Sequence, residues 1–178
     1  MVPVLTVGAA CARVSSRREV SVLQASFGRA LLGGLVGWVA LTLVMVMAPL
    51  MGVPPMSIPS MLGGMFGVNS LVFGWIMHLM IGLVLGLVYA YRIAPHFSGA
   101  PWLRGLLYSL LPWLVLMVVI APVLPVLNPM LAKMPPGFFF ANIGFMAIMG
   151  TLIAHLVYGV VLGAIVGAPS FTRQEPLA

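Results

Sequence analysis

Four long apolar segments, separated by stretches rich in Pro, Gly and Met, dominate this chain. Hydrophobic residues make up 62% of the 178 residues and charged residues only 6%, whereas about a quarter of a soluble domain is charged. Such a chain lacks the polar surface that water requires, and a membrane-spanning helix needs about 20 apolar residues. We therefore predict an all-α membrane protein with four transmembrane helices, spans one to four, near residues 30–48, 69–91, 103–124 and 141–166.

The basic residues predict how the spans are oriented. Arginines precede span one, follow span four and flank the connection between spans two and three, whereas only Lys133 lies in the other two connections. Because cytoplasmic loops carry the excess of Lys and Arg, both termini and the 92–104 loop are expected to be cytoplasmic (N-in/C-in). We expect a multi-pass protein of a bacterial cytoplasmic (inner) membrane.

The chain also contains an internal repeat. HLMIGLVLG, beginning at His78, returns as HLVYGVVLG, beginning at His155, with six of nine residues identical. RALLGGLVGW at Arg29 matches RGLLYSLLPW at Arg104 at five of ten positions, and MLGGM at Met61 has the counterpart MLAKM. Both repeats begin on the same side of the membrane, so we predict two parallel two-helix repeats related by a pseudo-twofold axis along the membrane normal.

The predicted organisation has three parts. Residues 1–28 form a cytoplasmic N-terminal segment, 29–168 a four-helix transmembrane domain, and 169–178 a cytoplasmic tail. Within the domain, repeat one covers 29–92 and repeat two covers 104–168. The single cysteine, Cys11, excludes an internal disulfide and a cysteine-built metal site.

Small residues recur four positions apart in spans two and four, in line with the histidines. Such ridges allow membrane helices to approach closely, and we expect them to bring spans two and four together. The predicted packing residues are Gly74, Gly82, Gly86, Gly159, Gly163 and Gly167.

The order of these features resembles a family of small four-helix bacterial integral membrane proteins of uncharacterised function. The resemblance rests on Met61-Leu62-Gly63 and on a His-x-x-x-Gly in each even-numbered span, His78 to Gly82 and His155 to Gly159. It covers most of residues 29–167 and implies no particular activity.

Three interpretations of His78 and His155 remain open. Each imidazole could form an interhelical hydrogen bond that fixes the packing, worth about 0.6–2 kcal/mol. Alternatively, the pair could be the axial ligands of one b-type haem, with the adjacent glycines leaving room for the macrocycle, although only Lys133 could pair with the propionates at that side. The third interpretation, an ion path, lacks the usual Asp and Glu relay partners in the spans.

The chain has 14 methionines, several of them in the connections opposite the basic loop. Thioethers are soft ligands that favour Cu(I), so Met61, Met65, Met130 and Met134 are candidate metal ligands. The alternative is that methionine serves as an adaptable apolar filler in irregular segments.

The functional prediction follows from the lack of any catalytic residue pattern in the sequence. The two acidic residues, Glu19 and Glu175, lie outside the spans, so no carboxylate pair, nucleophile–base set or phosphate loop supports an enzyme. We expect a non-catalytic accessory or assembly subunit of a larger membrane complex, such as a respiratory electron-transport complex, with no resident cofactor. Its partners would be the lipid bilayer and other membrane subunits or further copies of itself, and not nucleic acid. The alternatives are a haem b electron-transfer protein and a small-solute or metal-ion permease.

Overall fold

The computed structural model describes residues 27–167, apart from the side chain of Met130. Four helices are long and apolar enough to cross a membrane: Phe27–Met51, Leu71–His96, Pro101–Leu127 and Phe145–Val166. No strand occurs within 27–167. The all-α membrane fold with four spans is confirmed, while Cys11 and nearly all of the predicted terminal segments, 1–28 and 169–178, lie outside the described residues.

Spans one and two are longer than the sequence indicated. Span one passes Pro49 because the helix changes there to a 3-10 segment, Ala48–Met51, which accommodates the backbone hydrogen bond that the proline removes. Span two continues beyond Tyr91 through a π-helical turn, Tyr89–Ile93, and a 3-10 turn, Ala94–His96.

Span three contains a π-helical turn, Leu116–Ile120, in a stretch bounded by two prolines. Pro112 precedes this turn and Pro122 follows it, and each removes one backbone hydrogen bond of the regular helix. The helix nevertheless continues to Leu127, since the wider turn accommodates the lost bonds.

A short helix, Ile58–Met65, lies in a segment that the sequence analysis treated as a loop. Ser57 caps it by accepting a hydrogen bond from the Ser60 N–H, and a proline occupies its first turn. Both features are helix-start signals that the abundance of Pro and Gly obscured. We call this element the cap helix, and we call residues 48–70 and 126–146 together the cap.

The four spans form a ring in chain order. Span one meets span two at Gly34, where an added Cβ would lie 3.0 Å from the Gly82 carbonyl oxygen. Span two meets span three where the Tyr108 hydroxyl donates to the Leu85 carbonyl over 3.0 Å. Gly105 of span three lies against Gly159 of span four, and a Cβ on Gly37 would lie 2.9 Å from the Tyr158 ring, which closes the ring.

One pair of contacts between the two predicted repeats is related as a pseudo-twofold axis requires. With Arg29 aligned to Arg104 and His78 to His155, Gly33 corresponds to Tyr108 and Leu162 corresponds to Leu85. Gly33 contacts Leu162, and Tyr108 contacts Leu85. At these positions the two interfaces between the repeats are equivalent, although the residues themselves differ.

Candidate functional site

In each predicted repeat, polar and aromatic side chains lie around the histidine. In repeat one, the Trp38 indole Nε1–H donates to Nδ1 of His78 over 3.1 Å. Trp75 packs against both side chains, with ring centroids 6.1 Å from Trp38 and 6.0 Å from His78. Since Nδ1 of His78 accepts this hydrogen bond, the neutral ring carries its proton on Nε2.

In repeat two the equivalent groups are connected differently. Nδ1 of His155 lies 2.8 Å from the Thr151 carbonyl oxygen, so this nitrogen donates and Nε2 keeps its lone pair. Trp113, the counterpart of Trp38, donates to the Thr151 hydroxyl over 3.3 Å. The tryptophan thus donates to the histidine itself in repeat one. In repeat two it donates to Thr151, which lies one helical turn before the histidine.

The two imidazoles present complementary groups. His78 carries a hydrogen-bond donor at Nε2, whereas His155 carries an acceptor at Nε2. One turn away, the Tyr158 hydroxyl donates to the Gly82 carbonyl over 2.7 Å. This hydrogen bond connects spans two and four across the ring.

The glycine ridges do not bring spans two and four together as we expected; that pairing is wrong. Gly86 abuts Ala30 and Gly34 of span one, and Gly82 abuts Trp38. Spans two and four lie diagonally opposite each other in the ring. The glycines of span two pack on span one and the cap helix, and those of span four pack on span three. The contacts of the remaining glycines follow the same rule: Gly159 and Gly163 on Gly105, Gly167 on Pro101 of span three, and Gly74 on Pro59 of the cap helix.

Two of the candidate methionine ligands line one cavity. Met61 and Met134, with Met56, border a cavity of about 690 Å³ between the two halves of the cap. Met65 does not line it, and the Met130 side chain lies outside the described residues. Within residues 27–167, no three His, Cys, Asp or Glu side chains are grouped so as to hold a metal ion.

A second cavity, of about 450 Å³, contains a residue that the sequence analysis missed. It lies between spans one and two and the segment before the cap helix, and its lining includes His78, Trp75 and Thr42. The Thr42 hydroxyl is buried, with no hydrogen-bond partner. A single threonine in an apolar run gives no signal of this kind, because its burial depends on neighbours distant in sequence.

Comparison with known proteins identifies a family but no better-characterised relative. No curated protein matches the chain significantly, and neither does any solved structure. The model of a family of unknown function, DUF6789, matches residues 25–175. With four membrane-spanning helices and a match over most of its length, this chain belongs to the family of unknown function DUF6789.

Proposed function

We propose that this protein is a non-catalytic accessory or assembly subunit of a larger complex in a bacterial cytoplasmic membrane, and that it docks through its cap. The observation that supports this proposal is the chemistry of the cap. Lys133 is the only charged residue in 48–70 and 126–146. Connections that extend into water normally carry far more charge.

Large apolar side chains are also exposed on the cap. Outside the spans, Phe66, Met134 and Phe138 are 57%, 82% and 57% exposed. Burying a side chain of this size contributes about 1.5–3 kcal/mol. The bilayer surrounds the flanks of the bundle, whereas the cap covers the helix ends, so an apolar cap is better suited to contact with another protein.

The cavity between the halves of the cap gives this surface a specific shape. Its lining combines Met56, Met61 and Met134 with several prolines and two asparagines. Methionine-rich surfaces repack around a partner's side chains. We therefore expect an apolar side chain of the partner to enter this cavity, with the exposed Phe138 of the cap as a further contact.

A photocrosslinker can test the proposal in native membranes. The photoreactive residue benzoylphenylalanine would replace Phe138 of the cap or, as the matched control, Leu107 on the flank of span three; the two side chains are 57% and 56% exposed. We expect irradiation to yield one adduct of defined mass at position 138 and none with protein at position 107. Equal protein adducts at both positions, or none at position 138, would contradict docking through the cap.

The hydrogen bonds favour this proposal over the haem alternative. A haem ligated by both histidines needs a lone pair on each, and the Trp38 hydrogen bond leaves a proton on Nε2 of His78. His155 alone is oriented as a metal-ligating histidine usually is, with Nδ1 donating to a carbonyl. We expect the purified protein to show no Soret absorption band, and a band lost in His155→Ala would favour haem instead.

A further inference from the structure

The end of the bundle opposite the cap carries three arginines, which we call together the basic end. Arg29 lies near the start of span one, Arg92 near the end of span two and Arg104 near the start of span three. The two acidic residues of the chain, Glu19 and Glu175, fall outside residues 27–167. Within 27–167, therefore, no carboxylate side chain neutralises the charge of the basic end.

The packing of the spans places these arginines at three adjacent helix ends. A Cβ on Gly86 of span two would lie 2.7 Å from the Ala30 carbonyl oxygen, near the start of span one. On the other side, Nη1 of Arg104 in span three donates to the Ala94 carbonyl of span two over 3.0 Å. The end of span two thus lies between the starts of spans one and three, and the positive charges are concentrated on that side of the ring.

Arg92 and Arg104 are available to a ligand to different extents. Arg104 already directs Nη1 to two backbone carbonyls. The Arg92 side chain is exposed, and its guanidinium donates to no other group in the described part of the chain. A guanidinium is a planar fork of N–H donors that matches two oxygens of a phosphate. Of these two arginines, Arg92 is therefore the better placed to bind an anion directly.

Exposed aromatic side chains beside the arginines indicate the depth of the basic end in the bilayer. Tyr91, 40% exposed, directly precedes Arg92, and Trp102, 50% exposed, lies two residues before Arg104. Tyrosine and tryptophan are enriched where the apolar core of a bilayer meets water, at the level of the lipid headgroups. The arginines next to them therefore lie at the depth of the lipid phosphates.

We propose that the basic end binds the headgroup of an anionic phospholipid, with the phosphate accepting hydrogen bonds from the Arg92 guanidinium and with Arg29 and Arg104 adding their charges. Each basic residue near an anionic lipid surface strengthens binding about fivefold. A zwitterionic lipid offers no net negative charge to this end. The basic end lies opposite the cap, so this proposal is independent of the docking proposal.

The test uses the purified full-length protein in a non-ionic detergent and follows its thermal midpoint as a ligand is added. A ligand that binds the folded state raises the midpoint in proportion to its affinity. The probes are dioleoyl phosphatidylglycerol, which is anionic, dioleoyl phosphatidylcholine, which is zwitterionic, and inorganic phosphate. Arg92→Gln and Arg29→Gln each remove one charge from the basic end, Arg92→Lys keeps the charge without the planar fork, and Lys133→Gln removes the same charge from the cap.

We expect phosphatidylglycerol to raise the midpoint of the wild type, and phosphatidylcholine and inorganic phosphate to leave it unchanged. Arg92→Gln and Arg29→Gln should bind phosphatidylglycerol about fivefold more weakly, Arg92→Lys should lose less, and Lys133→Gln should match the wild type. If Arg29→Gln does not fold, the exposed Arg92 decides alone.

Three results would overturn the proposal. Equal responses to phosphatidylglycerol and phosphatidylcholine, or no response to either, would show that the headgroup charge is not recognised. Equal weakening in Lys133→Gln and Arg92→Gln would show that only the net charge of the protein matters. A response to inorganic phosphate as large as that to phosphatidylglycerol would identify a site for free phosphate instead of a lipid.

Discussion

A single hydrogen bond distinguishes the two histidines of the repeat. Thr151 in span four aligns with Gly74 in span two, so repeat two has a hydroxyl that repeat one lacks. Trp113 donates to that hydroxyl, whereas Trp38 finds no equivalent acceptor and donates to His78. The same motif therefore yields an imidazole with a free donor in one repeat and an imidazole with a free acceptor in the other.

The Trp38–His78 hydrogen bond gives the first prediction. Trp38→Phe keeps an aromatic ring but removes the N–H, so we expect the free energy of unfolding to fall by about 0.6–2 kcal/mol. Unfolding in a detergent titration measures this change. Trp102→Phe, at a half-exposed position near the start of span three, is the control, and equal effects of the two substitutions would mean that the hydrogen bond contributes nothing.

At the scale of elements, the glycine ridges determine which helices touch. A Cβ on Gly159 would lie 2.5 Å from the Ser109 hydroxyl oxygen and would also collide with the Gly105 backbone. Backbone atoms cannot give way as a flexible side chain can. The contact between spans three and four thus depends on the absence of a side chain.

The second prediction tests that contact. Gly159→Ala should lower the free energy of unfolding by about 1–3 kcal/mol, the usual cost of overpacking, and the same titration measures it. Gly28→Ala is the matched control, since no atom lies within 4 Å of its added Cβ, and alanine favours a helix by about 0.5–1 kcal/mol. A Gly159→Ala protein as stable as wild type would contradict the close packing.

Arg104 fixes the end of span two against the start of span three. Its Nη1 donates to the Ala94 and Phe97 carbonyls over 3.0 and 2.7 Å, and these oxygens lack helical partners where span two ends. The arginine that the sequence analysis used only to assign orientation therefore also caps a helix.

The third prediction separates these two roles. Arg104→Gln should destabilise the protein by about 1.5–3 kcal/mol, the contribution of hydrogen bonds from a charged group. Arg92→Gln removes the same charge from an exposed side chain near the end of span two and should have a much smaller effect on thermal stability. Comparable losses in both variants would indicate that only the net charge matters.

At the scale of the whole molecule, the two ends of the bundle differ in charge. Arg29, Arg92 and Arg104 lie at one end, and the cap at the other end carries Lys133 alone. The predicted orientation places the cap outside the cytoplasm, where a docking partner would have to meet it.

The fourth prediction tests this orientation. In a Cys11→Ser background, a cysteine at Met134 in the cap should react with a membrane-impermeant maleimide in intact cells. A cysteine at Ser98, which is exposed in the basic loop, should react only after the membrane is permeabilised. Labelling at Ser98 but not at Met134 in intact cells would reverse the topology.

Several elements show how far the sequence predicts this molecule. The sequence predicts the end of span four correctly, at Val166, but its start lies four residues later than expected, because residues 141–143 form a turn and Gly144, with φ +116°, precedes the first helical residue. The sequence does not predict the cap helix, since its glycines and the prolines before it favour a loop locally, while Ser57, Pro59 and packing on Gly74 favour a helix. The duplicated histidines were identified from the repeat, but their hydrogen-bond roles were not.

The four spans and the residues at which helices come close can be predicted from the chain alone, because apolar length and four-residue spacing are local properties. Which helices those glycines join depends on the folded molecule, since a ridge of small residues specifies close approach but not the partner. The folded molecule also leaves the Thr42 hydroxyl without a partner among the described residues and forms a cavity beside His78. Both depend on atoms from segments that are separate in sequence, and so no local pattern contains them.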